Sequence, residues 1–471
     1  MHFKLKLSLI IVSFVLTGAQ LIGQKLDISL QIKGLENKDV IIAHHYGENT
    51  LIDDTVSLNI AGEGHLVTDS TYEKGLYLCI FPDKTYFEFI LGDDQEFHIE
   101  TTATEDSQTY VKDMKVSGSA LNADFIDYQN FMMEMNQKSN DLRQALKNDP
   151  NNQEHKEALQ ALNESVQTKW KSIKTEHPGS FLEKMFDALQ EIEVPEPPRD
   201  ADGIITDSTF QYNYYNRHYF DNVDFSDNQM LYSPIYHRKL KHYFDKVVIR
   251  RPDSVIAASD RLLNSFPDDT DYFQYTLAFI FNKYAKSKYM GFDQIIVHLA
   301  ENYYLNGRAT WVSDEYLDKL RERVIKLKPN LIGSVAPKLD KAQSIEGYFY
   351  PLHEVEAKYT VVAFYEPSCG HCKKEIPKMY SAVFQDLHEY NVQVYAFYTQ
   401  ADQKEWQKFI TDKGLTDWIN VWDPQNFTDF RNKYDVYSTP TIYLLDSEKR
   451  IIAKRVDVET IISIIEEKER Q

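Results

Sequence analysis

Two cysteines separated by two residues give this chain its clearest chemical signal. Cys369 and Cys372 lie in the stretch Glu-Pro-Ser-Cys-Gly-His-Cys-Lys-Lys-Glu-Ile-Pro, residues 366–377. Only one other cysteine, Cys79, occurs in the 471 residues. Such a pair can bind a metal, cross-link a fold or carry out thiol–disulfide exchange.

A metal site is the first alternative. Zinc takes about four thiolate or imidazole ligands, commonly as two pairs with defined spacing. The sequence has no second cysteine pair, and His371 lies between the two thiols, where it cannot easily join them on one metal. Cys79 stands alone in a predicted strand, where a buried apolar role is expected. We therefore expect neither a metal nor a cofactor.

A structural cross-link is the second alternative. A disulfide between Cys369 and Cys372 would close a loop of only two residues. Such a loop constrains the unfolded chain much less than a fifteen-residue loop, which is worth about 3 kcal/mol. The pair is therefore a poor choice for a cross-link whose only role is to hold the fold.

Thiol–disulfide exchange fits the local pattern best. An apolar, β-branched run at 358–365 predicts a strand that ends just before the motif, and a helical pattern follows it. Cys369 is then expected at the start of a helix, where free backbone amides and the helix dipole stabilise a thiolate. His371 can add positive charge nearby. We expect Cys369 to attack a partner disulfide and Cys372, one turn further, to resolve the mixed disulfide, which leaves a Cys369–Cys372 disulfide.

The motif and its flanks resemble a known group of proteins. Residues 361–377 resemble the active-site segment of thioredoxin-like proteins, particularly the exported TlpA/ResA-type thiol–disulfide oxidoreductases. Pro377 stands five residues past Cys372, at the position of that family's helix-kinking proline. Residues 333–340 resemble the entry segment of the group, so the resemblance covers roughly residues 330–471.

The resemblance also implies a substrate-binding loop. Residues 438–446, Ser-Thr-Pro-Thr-Ile-Tyr-Leu-Leu-Asp, resemble the family's cis-proline segment. Pro440 is therefore expected to be a cis-proline that faces the disulfide. Thr439 is expected to offer backbone groups to a bound polypeptide, and Gly370 is the second expected substrate-binding position.

The sequence departs from the thioredoxin pattern at two positions. Ser368 replaces the tryptophan that usually precedes the first cysteine, and Ala363 stands where many thioredoxins carry a buried, proton-transferring aspartate. Glu375 matches an acidic position of ResA-type proteins, so the resemblance implies a role in proton transfer. Glu366 is a second candidate because it is close on the turn, and either carboxylate could instead be a solvated surface group.

The whole chain is expected to have a multi-domain α+β fold. Short runs with period-two alternation predict an N-terminal antiparallel β-sandwich at 24–118, and helical spacing predicts an α-helical domain at 119–328. Alternating strands and helices predict an α/β layer fold, thioredoxin-like by resemblance, at 329–471. The roles of the first two domains are not implied by the resemblance.

The first residues and the charge bear on location and partners. A short basic start, an apolar run and small residues predict a secretory signal at 1–19. A protein that is periplasmic or otherwise exported to the cell envelope is therefore expected, with contact to a membrane only through an uncleaved signal. The net charge of −20 disfavours nucleic-acid binding, because it repels phosphate.

Together these features predict an exported thiol–disulfide oxidoreductase whose partners are protein thiols and disulfides and an unidentified electron donor or acceptor. The direction of exchange stays open, although the Gly-His dipeptide resembles that of protein disulfide isomerases. The alternative is an envelope binding or assembly module whose C-terminal domain is regulatory or inert.

Overall fold

The computed structural model describes residues 26–68, 72–103, 107–385 and 387–470. The chain divides into two compact units, Met1–Val248 and Ile249–Gln471. The predicted signal at 1–19 lies outside the described residues. Within those residues, every helix is too short or too polar to cross a membrane.

The first unit begins with two four-stranded sheets. Their strands are β1 (Leu26–Lys33), β2 (Asp39–Tyr46), β3 (Asn49–Ser57), β4 (Glu63–Thr68), β5 (Gly75–Ile80), β6 (Tyr86–Leu91), β7 (Glu96–Thr102) and β8 (Lys115–Ser117). The strand orders are β4-β1-β7-β8 and β3-β2-β5-β6. Alternate residues of β1 and β7 point inward and pack with apolar residues of the other sheet in one core, which makes a β-sandwich.

One strand pair departs from the expected antiparallel arrangement. β1 pairs with β4 antiparallel but with β7 parallel, from Asp27 opposite Glu96 to Lys33 opposite Thr102. Strand periodicity reports which residues face the core, but it carries no information on the direction of a partner that is distant in sequence.

Helices complete the first unit. They are α1 (Ser107–Lys112), α2 (Ala120–Asn148), α3 (Gln153–Glu176), α4 (Phe181–Leu189), α5 (Phe210–His218) and α6 (Pro234–His242), with a π-helical turn at Tyr243–Val247. Side-chain caps start the two long helices: Ser119 accepts from the Asn122 amide, and Asn152 accepts from the His155 amide. Long helices are therefore present at the start of the region, 119–328, for which helical spacing predicts them.

The second unit begins with four further helices, α7 (Pro252–Leu263), α8 (Asp271–Ala285), α9 (Asp293–Leu299) and α10 (Asp314–Leu327). A π-helical turn at Ala300–Tyr304 follows α9, and a 3₁₀ turn at Lys328–Asn330 follows α10. The predicted domain boundary at 328/329 falls inside this compact unit, and independent folding on either side of it stays a prediction.

The rest of the second unit is built around a five-stranded sheet. The strands and helices of this part are β9 (Tyr359–Tyr365), α11 (Cys372–Gln385), β10 (Val392–Tyr398), α12 (Gln403–Lys413), β11 (Ile419–Trp422), α13 (Phe430–Lys433), β12 (Thr441–Leu445), β13 (Ile451–Lys454) and α14 (Val458–Glu469). The strand order is β11-β10-β9-β12-β13. β9 runs parallel to β10 and antiparallel to β12.

Both faces of the sheet are covered, which explains why all seven residues of the central strand β9 are buried. Val361 and Ala363 pack on one side with residues of α11 and α14. Val362 and Phe364 pack on the other side with Phe430 of α13 and with residues that precede β9. The predicted α/β, thioredoxin-like fold is confirmed for this part of the chain.

Candidate active site

The strand-to-helix turn positions the two cysteines. β9 ends at Tyr365, and α11 begins at Cys372. The Lys373 amide donates to the Cys369 carbonyl oxygen at 3.1 Å, so Cys369 lies within one turn of the first helical residue, close to its expected position. Cys369 is partly buried, Cys372 is fully buried, and both are free thiols.

The surroundings of the two thiols push their pKa values in opposite directions. Burial disfavours the Cys369 thiolate, but hydrogen bonds from the Cys372 amide and thiol, from the Thr439 side chain and from the His371 amide outweigh it and lower the Cys369 pKa. Burial is the main reason that the pKa of Cys372 is raised to about 12. Cys369, the more exposed of the two thiols, is therefore the one that ionises more readily.

The loop before β12 faces the outer thiol. The Thr439–Pro440 peptide bond is cis, in agreement with the resemblance. The Cys369 Sγ donates to the Thr439 carbonyl oxygen at 3.1 Å. Because the Thr439 carbonyl is hydrogen bonded to the Cys369 thiol and lies next to Pro440, the cis-proline loop and the cysteine motif lie side by side on one surface.

An open cleft of about 480 Å³ lies along this surface, and we refer to it as the thiol cleft. It is lined by His371 and Glu375 from the motif side, by residues 437–442 from the cis-proline loop, and by Asp435, Arg455, Val456 and Asp457. Its open side suits a polypeptide chain in extended conformation better than an enclosed small molecule.

The two candidate carboxylates differ in their surroundings. Glu375 lines the thiol cleft, and its Oε2 atom is buried without a hydrogen-bond partner among the described residues. The Glu366 side chain instead accepts a hydrogen bond from Gln400 Nε2 at 2.5 Å. A buried polar atom without a hydrogen-bond partner is uncommon in a fold, and a catalytic role is one explanation for it.

The other positions that the sequence analysis named are either buried in the sheet or exposed on the turn. Ala363 is fully buried in β9, so its methyl group leaves no polar atom where many thioredoxins have an aspartate. Ser368, Gly370 and His371 are exposed on the turn. A Cβ atom added at Gly370 would meet no atom within 4 Å, so the turn leaves open space there.

Aromatic side chains form the floor beneath Cys372. Tyr365 is fully buried and interacts electrostatically with Cys372; burial is the main cause of its raised pKa. The indole Nε1 of Trp406 donates to the Tyr365 hydroxyl at 3.0 Å. Trp406 stacks on Tyr398 and Trp422, with ring centroids 5.6 and 5.2 Å away.

A charged cluster beside the cleft was not expected from the sequence. Asp435 is 3% exposed, and its carboxylate accepts from Arg323 Nη1 at 2.8 Å and from Arg455 Nη2 at 2.5 Å. Arg323 belongs to α10 and lies 112 residues from Asp435 in sequence. No local pattern links such distant residues; the only sequence signal is an acidic residue five positions before Pro440.

The described residues contain one group of three potential metal ligands, which is separate from the cysteine motif. It consists of Asp124, Glu176 and His177 in the first unit. The His177 imidazole is hydrogen bonded to the Asp124 carboxylate at 2.5 Å, which accounts for their proximity without an ion.

Comparisons with known families match two parts of the chain. The profile of the AhpC/TSA family matches residues 332–454. A profile described as a domain of unknown function, DUF5106, matches residues 151–330. No curated protein sequence matches the chain.

Solved structures also match the chain, each over part of its length. A domain of a possible thiol-disulfide isomerase from Cytophaga hutchinsonii is 39% identical over 30% of this chain and 94% of its own, with a TM-score of 0.28. The thioredoxin domain of a thiol-disulfide oxidoreductase from Bacteroides vulgatus is 25% identical over 29% of this chain and 96% of its own, with a TM-score of 0.27. A thiol:disulfide interchange protein from a Bacteroides species is 26% identical over 29% and 88%, with a TM-score of 0.26.

Proposed function

We propose that this protein exchanges disulfides with exported protein substrates through Cys369 and Cys372, because residues 332–454 match the thioredoxin-like AhpC/TSA family and similar structures include a domain of a possible thiol-disulfide isomerase and the thioredoxin domain of a thiol-disulfide oxidoreductase. One observation carries the proposal. Cys369, whose pKa is lowered, lies next to the buried Cys372 and donates to the carbonyl of Thr439, which lines an open cleft together with cis-Pro440.

The first step joins the protein to its partner. The Cys369 thiolate attacks one sulfur of a partner disulfide, an S–S bond forms between them, and the partner's second sulfur leaves as a thiolate that takes up a proton. The substrate chain lies along Thr439 and Pro440, where backbone groups can pair with it in an extended conformation. Gly370, with open space above it, allows that chain to approach the turn.

The second step releases the partner. Cys372 loses its proton and attacks Cys369 Sγ, so the Cys369–Cys372 disulfide forms and the partner leaves with two thiols. Since burial holds the pKa of Cys372 at about 12, this step needs a base. Glu375 is three residues further along α11, on the same face of the helix, and its unpaired Oε2 makes it the base that we propose.

The electron balance of the reaction cycle shows which further reactant the protein needs. Each turn moves two electrons from the cysteine pair to the partner, so a second dithiol must reduce the pair again, and the same steps run in reverse for oxidation. The lowered pKa of Cys369 stabilises the reduced pair, which favours an oxidising or isomerising poise over a strongly reducing one. The apolar N-terminal run supports a periplasmic location.

Removal of the resolving thiol tests the proposal. A Cys372→Ser variant should accumulate mixed disulfides with exported proteins, because Cys369 can attack but nothing releases the partner. These adducts should appear as dithiothreitol-sensitive bands on non-reducing gels and should be absent from the Cys369→Ser/Cys372→Ser double variant. A Cys79→Ala variant is the control for a buried thiol.

Insulin reduction distinguishes the proposal from an inert domain. The wild type should reduce insulin disulfides much faster than Cys369→Ser. Equal rates for the two, or no adducts with Cys372→Ser, would leave the protein as a binding or assembly module instead.

A further inference from the structure

A second cleft adjoins the thiol cleft within the same compact unit. It has a volume of about 600 Å³ and lies between the helices α8 to α10 and the end of β13; we call it the helical cleft. Its walls include Tyr284, Tyr289, Met290, Tyr316, Leu320 and Arg323, together with Lys454 and Arg455. This volume is in the range of binding sites that take up several side chains or a small ligand.

The two clefts share part of their lining. Asp435 and Arg455 line both of them. Arg323 of α10 also reaches across, because its Nη1 donates to the Tyr437 hydroxyl at 3.1 Å and its guanidinium lies 5.7 Å from the centre of the Tyr437 ring. Tyr437 lines the thiol cleft, so a helix that precedes the thioredoxin-like domain supports the wall of the substrate path.

The helical cleft is positively charged within an acidic protein. Its lining has five basic side chains, Lys288, Lys319, Arg323, Lys454 and Arg455, against the two acidic side chains of Asp293 and Asp435. Lys454 pairs with Asp293, Lys319 pairs with Glu315 just outside the lining, and the two arginines share the single carboxylate of Asp435. A positive balance therefore remains, although the whole chain has a net charge of −20.

Large apolar side chains are exposed at the same place. Tyr289, Met290 and Tyr316 are 63%, 43% and 41% exposed, and all three line the cleft. Exposed apolar and aromatic groups with basic neighbours suit a ligand that combines an apolar side chain with carboxylates.

We propose that the helical cleft is a specificity subsite, which binds an acidic segment with an aromatic or large aliphatic side chain in the substrate polypeptide, next to the cysteine that Cys369 attacks. This rests on the proposed function and adds the class of substrate. An extended chain over Pro440 passes Arg455 and enters the cleft, where carboxylates meet Lys288, Lys319 and Arg323, and the apolar side chain packs on Tyr289 and Tyr316. The charge of the cleft then selects the partner as well as speeding its approach.

Matched peptides test this subsite. Two short fluorescent peptides carry one cysteine as a mixed disulfide with cysteamine, flanked in one by Glu-Phe-Glu and in the other by Lys-Phe-Lys. In single-turnover reactions with the fully reduced protein, the acidic peptide should react about tenfold faster at low substrate concentration. Replacing its Phe with Ser should remove part of that advantage.

Two charge-reversal variants locate the effect. Lys288→Glu/Lys319→Glu should bring the ratio of the two rates close to one. Lys404→Glu/Lys408→Glu makes the same charge change on exposed residues of α12 that line neither cleft, and it should keep the wild-type ratio. Equal rates for the two peptides, or the same loss of ratio in both variants, would overturn the proposal.

A binding measurement separates this inference from the proposed function. Serine versions of the same peptides, titrated into Cys369→Ser protein and followed by fluorescence anisotropy, should keep the preference for the acidic peptide. If the wild type does not reduce even the neutral bis(2-hydroxyethyl) disulfide, the proposed function fails, while anisotropy still decides whether the subsite exists.

Discussion

At the scale of single residues, the two thiols differ mainly in what surrounds them. Cys369 is partly exposed, with helix-terminal amides directed at its sulfur, whereas Cys372 is buried among apolar side chains beneath it. The same side chain therefore has a lowered pKa at one position and a pKa of about 12 at the other.

Alkylation of the reduced protein should reveal this difference. At pH 7, iodoacetamide should modify Cys369 first, because only thiolates react, and the rate should level off below the pKa of a free cysteine, about 8.5. Cys372 should stay unmodified until the pH approaches 12 or the protein unfolds. Mass spectrometry of the labelled peptides measures both profiles, and equal labelling at pH 7 would contradict the assignment of the attacking thiol.

The role of Glu375 as the proposed base can be tested by a substitution that keeps the shape of its side chain. Glu375→Gln should slow resolution of the mixed disulfide about 100-fold at pH 7, the typical effect of losing a general base. The deficit should shrink as the pH rises, because Cys372 then ionises without help. Stopped-flow quenching of adducts measures the step.

Glu366→Gln is the matched control, since a glutamine there can still accept the hydrogen bond from Gln400. If Glu366→Gln slows resolution as much as Glu375→Gln does, or if neither variant changes the pH profile, the proton leaves by another route.

At the scale of structural elements, the cis-proline loop depends on a charge cluster. Asp435 adopts a left-handed backbone conformation (φ 50°) and accepts hydrogen bonds from arginines of α10 and of the segment after β13. Because asparagine tolerates the same conformation, Asp435→Asn removes the charge while the backbone geometry is kept.

Asp435→Asn should therefore lower the free energy of unfolding by about 2 kcal/mol, since two guanidinium groups lose their shared charged acceptor. Urea titration measures the change. Asp429→Asn is the control, because Asp429 is also left-handed (φ 51°) but its carboxylate accepts from the neutral Asn432 side chain. Equal losses in the two variants would attribute the effect to the backbone rather than to the ion pairs.

The sequence predicted those parts of the site that are local. Cys369, Cys372 and Pro440 are found from short motifs, because a turn, a helix start and an X-Pro bond are set by neighbouring residues. Asp435, Arg323 and the parallel pairing of β1 with β7 could not be predicted in this way, because each depends on residues 60 or more positions away.

At the scale of the whole molecule, the second compact unit is larger than the thioredoxin-like domain. Asp293 pairs with Lys454, and Arg323 pairs with Asp435, so helices before residue 328 neutralise charges that are nearly buried in the later domain. Removing these helices leaves Lys454 without its carboxylate partner.

Two fragments should differ accordingly. Residues 249–471 should melt on the order of 10 °C higher than residues 329–471, given the destabilisation that follows loss of one partner of a buried pair. Differential scanning calorimetry makes the comparison. In the longer fragment, the double substitution Asp293→Asn/Arg323→Gln should lower the melting temperature by much of this difference. Equal melting temperatures for the two wild-type fragments would show that the predicted boundary at 328 is also a boundary of stability.

The aromatic floor of the site has a practical consequence. Trp406 is one of five tryptophans, and its hydrogen bond connects it to Tyr365, a buried phenol in the same core cluster as Cys372. A change in bonding at that sulfur alters the electric field at the phenol and then at the indole. The protein therefore contains its own optical reporter, and its emission spectrum should follow each round of oxidation and reduction without an added label.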